Sequence, residues 1–333
     1  MDADASASVT TQVPGFEHLP GHHCGSTALR NLLTHHGLAI SEELALGLGA
    51  GACFYYVSVE GQSPSRFING RTARLEEEFL RLTSAPLRLR TAADPDESWR
   101  LAAETVEDGR PTILLTDLYY LDHYGSSAHF PGHAVVLVGF DGESAYVADT
   151  GFAELQRTSL SGFRKARHSE QPIYPLAGQM VDLPAGSELS EAGLLAAAPR
   201  AIAAAVARML EPELAPYEGL PALRRFAAEV GSWPESVPDW QWCARLGYQV
   251  IERRGTGGGN FRAMYSRFLS EVGRPEAPLA AGAADAWSAL AEAMFAASEQ
   301  EHPAAPTWSA IEERASVVLA AEERLWEALA EAG

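Results

Sequence analysis

The sequence predicts an α+β protein in which a sheet-containing N-terminal domain precedes an all-helical one. Three observations carry that reading. Two apolar, β-branched runs flank Asp141-Gly142, the pattern of a β-hairpin. A helix-period run begins at Cys24, and strand-like and helical runs then alternate to about residue 183. Beyond about residue 185 the text is Ala-rich and helical, broken by prolines, with no strand-like alternation. At roughly 100–200 residues per domain, 333 residues suit two domains. The expected boundaries are a polar tail 1–14 ending at Pro14, a first domain 15–183 and a helical domain 184–333.

Taken in order, Ala28, Leu29, Leu32 and Leu33 share one face of the helix that opens at Cys24, and Gly37 supplies its C-terminal stop. A second helix follows Ser41 and ends in the glycines at 47–51. Cys53-Phe-Tyr-Tyr-Val-Ser-Val59 is aromatic and β-branched and reads as a strand. Residues 71–82 and 96–108 have amphipathic helical periods, and 111–117 is a buried-strand run. Around Asp141-Gly142 the expected loop is Phe140-Asp141-Gly142 with Gly142 left-handed, which pairs Gly139 with Glu143. Counting outward sets His133 directly opposite Asp149 on the same face. Helices are expected at 189–210, 220–230, 240–252, 261–272, 279–298 and 307–331.

Composition narrows the chemistry. There are 25 basic and 44 acidic residues, a formal charge of −19 that repels phosphate backbones and anionic lipid surfaces, so neither nucleic acid nor membrane is expected as a partner. The start lacks a basic n-region and an apolar h-region, and no apolar run is expected to span a bilayer. Lys165 is the sole lysine against abundant Ala and Arg, a bias of GC-rich bacterial genomes; the expected location is cytoplasmic, with reduced thiols. Three cysteines, Cys24, Cys53 and Cys243, form no C-x-x-C pair, so neither a disulfide framework nor a zinc ribbon can be built from them.

Of the three, Cys24 stands at a helix start, where unpaired N–H groups and the helix dipole favour a thiolate. Cys53 reads as a strand core residue and Cys243 as a core residue on an aromatic helix. A general base needs a histidine whose second nitrogen is held by a carboxylate, and the hairpin offers His133 with Asp149. A helix-start cysteine followed about 110 residues later by a strand-borne His and then an Asp matches the chain order of papain-like enzymes.

The stretches His23–Asn31, Ser41-Glu42, Gly47-Leu48-Gly49, Phe54-Tyr55-Tyr56, Asp117–Leu121 and Gly132–Gly139 together resemble the BtrH-type N-terminal domain family of butirosin-biosynthesis acyltransferases. These are papain-like proteins related in fold to bacteriocin-leader peptidases. The later half, with Arg254-Gly-Thr-Gly-Gly-Gly-Asn-Phe-Arg262, Met264-Tyr265 and Phe268-Leu269, is similar to a helical region fused to that domain. The resemblance implies a papain-like cysteine-protease fold in the first domain. It also implies acyl transfer to a small amine acceptor in antibiotic or other natural-product biosynthesis. The donor would be a thioester on an acyl carrier protein or coenzyme A, carrying a phosphopantetheine arm, with no further cofactor. By position Cys24 would be the nucleophile, His133 the base and Asp149 its orienter. A helical domain covering or flanking the site would keep water from the acyl-enzyme, and a homo-oligomer is left open.

One departure from the papain-like pattern concerns the oxyanion. The glutamine usual before the cysteine is missing, and His18 stands six residues before it. The Cys24 N–H with His22 or His23 is the expected substitute, with His18 a further oxyanion or cleft candidate, and a thioester asks less of such a site than an amide. Tyr119 and Tyr120 are expected to border the cleft. Arg254, Gly257, Gly258 and Arg262 could hold a phosphate at a helix start, but strand and Lys-Ser/Thr of a P-loop are absent, and a plain flexible connection between helices is the favoured reading of the glycine run. Docking an acidic carrier would need a local patch, for which Arg71, Arg74, Arg88, Arg90, Arg253 and Arg254 are available; a cationic acceptor suits the bulk charge better. A metal held by His22, His23 and Cys24 is discounted because adjacent histidines rarely reach one ion. The alternatives are a thioester cyclase, hydrolase or leader-peptide peptidase using the same three residues, and a non-catalytic carrier-binding scaffold.

Overall fold

The computed structural model describes residues 10–172 and 174–332, so residues 1–9 of the expected tail lie outside the described residues. In chain order the strands are β1 (Thr11–Gln12), β2 (Ala52–Ser58), β3 (Arg66–Arg71), β4 (Arg88–Arg90), β5 (Thr112–Asp117), β6 (Pro131–Phe140), β7 (Ser144–Ala148), β8 (Gln156–Ser159) and β9 (Met180–Asp182). The helices of the first half are α1 (Cys24–His35), α2 (Glu42–Leu48), α3 (Leu75–Thr83), α4 (Pro95–Glu107) and α5 (Leu160–Ala166). Those of the second half are α6 (Glu191–Leu195), α7 (Ala198–Leu210), α8 (Gly219–Glu229), α9 (Trp233–Ser236), α10 (Trp240–Tyr248), α11 (Arg262–Glu271), α12 (Ala277–Ser298) and α13 (Ala305–Glu331). The protein is mixed α+β, with a sheet region in its N-terminal half and a helical region in its C-terminal half, as the sequence predicts.

Contacts divide the described chain into two units. One takes the residues through Ala45 together with Ser84–Glu191; the other takes Leu46–Thr83 together with the residues from Ala192 onward. The second unit therefore draws 46–83 out of the span that the sequence assigns to a single first domain. Sequence periodicity cannot register this, because a hairpin reads the same whichever core it joins.

In the first unit an antiparallel sheet runs β4-β9-β5-β6-β7-β8, with β1 paired to β6. The end of the expected tail is thus a strand, Thr11 facing Phe140 and Gln12 facing Gly139. One sheet face packs Leu114, Val135, Leu137 and Val147 against Ala102 and Val106 of α4 and Phe163 of α5. Helix α1 packs on β6 and buries Leu29, Leu32 and Leu33 completely; each such side chain stabilises the fold by about 1.5–3 kcal/mol.

The β6–β7 hairpin has a different register from the expected one. Gly139 pairs with Tyr146 and Leu137 with Val147, with a bulge between them. The turn is built on Asp141, whose carboxylate accepts the N–H of Glu143 and of Ser144, both at 2.8 Å. That side-chain capping makes a left-handed glycine unnecessary, and Gly142 is not among the positive-φ residues. One step beyond the Val136–Ala148 pair sets Asp149 opposite Val135, so His133 is its diagonal neighbour rather than its direct one. Diagonal neighbours on one face remain within reach of long side chains.

The second unit joins the antiparallel β2–β3 hairpin to α7–α13. Its core includes Trp233, Trp287 and Trp326, all essentially inaccessible. Among the described residues one stretch, Glu191–Leu210, is long and apolar enough to cross a membrane by length and composition, which corrects the expectation that none is. Within it Ala198, Ala201, Ile202, Ala205 and Met209 are buried in the protein.

Candidate active site

Helix α1 begins at Cys24 because His23 caps it. The His23 side chain accepts the Ser26 N–H at 3.3 Å, in the manner of an Asx or Ser cap. Glu42, at the start of α2, gathers the turn before the cysteine: its carboxylate accepts the N–H of His22 (3.0 Å), the N–H of His23 (2.7 Å) and the Ser26 hydroxyl (3.1 Å). Gly21 has to be glycine there, since a Cβ would lie 2.2 Å from Thr27 Oγ1 and 2.5 Å from Glu42 Oε2. The same segment is tied to the end of the hairpin. Gly21 N–H donates to the Thr150 carbonyl (3.1 Å), and His18 Nε2–H donates to the Phe152 carbonyl (2.8 Å). These bonds hold the start of α1 beside Asp149.

His133 lies near the start of β6, where Thr116 of β5 donates its hydroxyl to the His133 carbonyl (2.9 Å). Its Nε2–H donates to Asp149 Oδ1 at 2.9 Å, which leaves Nδ1 for the Cys24 sulfur with which it hydrogen-bonds. His133 and Asp149 are both buried, while Cys24 is half-buried. Asp149 has two further donors that sequence reasoning missed. Tyr124 donates its hydroxyl to Oδ1 (3.0 Å), and His123 donates Nε2–H to Oδ2 (2.9 Å). Both come from a loop pinned by Asp122, which accepts the Ser159 N–H at 2.6 Å. The only sequence signal for them was a His-Tyr pair in the loop before His133; which carboxylate the pair meets depends on the fold.

The electrostatics separate the three cysteines. Burial alone would raise the Cys24 thiol, but the charges of His23 and His133 and their hydrogen bonds to the sulfur outweigh it and hold the thiol well below its ordinary value. Burial likewise opposes charge on His133, yet Asp149 and then Cys24 raise its proton affinity. Burial would raise the Asp149 carboxyl; His133 and His123 hold it below the usual carboxylate range instead. Cys53 is pushed up to about 12 by burial and the nearby Glu218, and burial also raises Cys243. The arrangement can therefore keep one thiolate beside an imidazolium at neutral pH.

The other expected residues fall elsewhere. Both nitrogens of His18 are engaged, Nε2 with Phe152 and Nδ1 with the Asn31 amide at 3.4 Å, so His18 is not a substitute for the missing glutamine. The His22 side chain is exposed and His23 is buried beside Cys24. Tyr119 and Tyr120 make their ring contacts with each other and with His129, Tyr119 stacking on it at 4.1 Å. His129 in turn donates Nδ1–H to Asp117 (2.7 Å). Tyr120 also lines a cavity of about 480 Å³ with Pro95, Arg164, Lys165 and His168, which includes none of Cys24, His133 and Asp149.

In the second unit, Gly257 and Gly258 are left-handed and Gly258 N–H is taken by Thr256 (3.1 Å). Arg254 is exposed, but Arg262 is wholly buried on Glu322 (2.8 Å) and the carbonyls of Gly70 and Cys53. These residues do not converge on a phosphate; the motif folds a loop around a core arginine. Three of the six expected arginines are already paired. Arg88 and Arg90 both pair with buried Asp182, and Arg74 pairs with Glu77. Among the described residues no group of three His, Cys, Asp or Glu side chains could hold a metal ion.

Comparison with protein families gives two matches. The model described as butirosin biosynthesis protein H, N-terminal, matches residues 23–150, and a domain of unknown function (DUF4872) matches 161–329. No curated protein matches the chain. The first match takes in Cys24, His133 and Asp149; it also contains 46–83, which packs with the second unit.

Proposed function

We propose, for a chain that belongs to the butirosin biosynthesis protein H N-terminal domain family with the DUF4872 family following it, a cysteine-dependent acyltransferase. The family relates the protein to butirosin-type antibiotic biosynthesis. The observation that carries the reaction is the pairing of Cys24 with His133, itself held by Asp149 at 2.9 Å.

In this reading the Cys24 thiolate attacks the carbonyl of an acyl thioester, and the tetrahedral oxyanion is met by the N–H groups of the first turn of α1. The C–S bond of the donor breaks, and the leaving thiolate takes the proton from His133 Nδ1. An amine then attacks the acyl-Cys24 thioester, His133 takes its proton, and Cys24 leaves as thiolate, restoring the ion pair. The exchange of one thioester for another is near balance, and aminolysis to an amide runs downhill. The donor is a carrier-protein or coenzyme A thioester and the acceptor a small amine; the cycle needs no cofactor of its own.

His18 favours a thioester over a peptide substrate. With both its nitrogens engaged, the extra oxyanion donor that amide cleavage demands is missing at that position. Thioester cyclisation or hydrolysis would use the same residues with another acceptor. Product analysis tests the proposal: the full-length protein, an acyl-pantetheine thioester and a panel of small amines should yield amide, and Cys24→Ala should yield none. Free acid as the sole enzyme-dependent product would make it a hydrolase; unchanged turnover by Cys24→Ala would overturn the mechanism.

A further inference from the structure

We propose that His123 is a positioning residue for this chemistry, holding Asp149 Oδ2 so that Oδ1 stays on His133, with Tyr124 closing the pair from the side. The proposal rests on the reading of Cys24 as the nucleophile.

Asp149 is fully inaccessible, and its carboxylate is surrounded by donors: His133 and Tyr124 on Oδ1, His123 on Oδ2. A carboxylate can swing about its last side-chain torsion and trade its two oxygens. A donor fixed on Oδ2 removes that freedom and commits Oδ1 to the base. Without it, Oδ2 would be a buried acceptor with no donor, the carboxylate would be free to turn about that torsion, and its alignment on His133 would be lost.

The tautomer of His123 supports a directed role. Asp149 is an acceptor, so His123 Nε2 carries a proton, and its Nδ1 is buried with no hydrogen-bond partner among the described residues. An imidazole placed only to fill space would gain nothing from an unsatisfied nitrogen. Here that nitrogen is tolerated while the other meets Asp149. The Phe152 ring stands edge-on to both His123 (5.2 Å) and Tyr124 (5.3 Å) and fixes both rings. The Tyr124 hydroxyl lies 3.3 Å from His133 Nε2 as well as 3.0 Å from Asp149, so it covers the hydrogen bond that orients the base.

The test is the pH dependence of Cys24 alkylation by iodoacetate on the full-length protein, followed by peptide mapping. The anionic reagent favours a thiolate beside an imidazolium, so the wild-type rate should trace a bell whose alkaline limb reports His133. In His123→Ala that limb should move down by about one pH unit, a roughly tenfold loss of imidazolium proton affinity. His123→Gln, whose amide N–H can reach the same oxygen, should recover at least half of the shift, and Tyr124→Phe should move the limb in the same direction by less. If His123→Ala does not melt cooperatively, the Gln and Phe variants carry the test. Limbs that coincide with wild type in every folded variant would overturn the proposal alone. A wild-type Cys24 that alkylates only in the ordinary thiol range would overturn the nucleophile reading and this proposal together.

Discussion

His133 gives one ring nitrogen to Asp149 at 2.9 Å and keeps the other for Cys24, so that the imidazole links the carboxylate to the thiol inside the first unit. The two strand-end residues are diagonal neighbours across β6 and β7, and the bulge beside Gly139 sets that diagonal.

The pair makes stability depend on pH in a defined way. Asp149 is held below its ordinary value, so its contribution is present above a carboxyl's usual value of about 3.9 and is lost as pH falls through the lowered folded one. His133 is raised, so its contribution is full below about 6.5 and is lost as pH climbs through the raised folded value. Thermal melts of Asp149→Asn should show a loss of about 2–4 kcal/mol near pH 5–6 that shrinks toward both ends of the pH range. A loss that is constant across pH would contradict the assignment.

Glu42 is a second structural determinant of the site. Replacing it by Ala strips acceptors from two backbone N–H groups and the Ser26 hydroxyl at once. The expected cost is about 2–4 kcal/mol in chemical denaturation, with slower alkylation of Cys24 because the α1 start is no longer fixed. Wild-type stability in Glu42→Ala would show that the turn is held by other contacts.

Only one thiol should react in the native protein. Cys53 is buried with its thiol pushed up to about 12, and Cys243 is buried and raised as well. One equivalent of alkylating reagent, located on Cys24, is expected at neutral pH, and three only after unfolding.

In the second unit, Arg262 joins Glu322 with the carbonyls of Cys53 and Gly70, and Trp287 and Trp326 donate to the same carboxylate at 2.6 Å each. Arg262→Ala leaves a buried carboxylate short of its counter-charge and should cost about 3–5 kcal/mol. A phosphate-binding role would instead predict a small stability change.

Sequence made part of this legible for physical reasons. Helix α1, the β6–β7 hairpin and the later helices were readable because each has a single period over many residues, and Cys24 was singled out by its place at a helix start. What was not readable depends on neighbours distant in sequence. Strand β3 mixes Arg66, Asn69 and Arg71 into its run, β8 and β9 are short, and the roles of Glu42, His123 and Tyr124 arise only when loops meet Asp149 or α1. Arg262 is a further case: the glycine run before it reads from sequence as a connection between helices with an anion site as the lesser alternative, and neither reading tells that the arginine turns inward.

Cys24 as the acyl-carrying nucleophile is tested most directly by the intact mass of the protein after brief exposure to an acyl-pantetheine thioester without acceptor. A mass increase of one acyl group is expected, mapped to Cys24, discharged on adding an amine and absent in Cys24→Ala. Unmodified protein under conditions where product forms, or an acyl group on Cys53, Cys243 or any other residue, would contradict it.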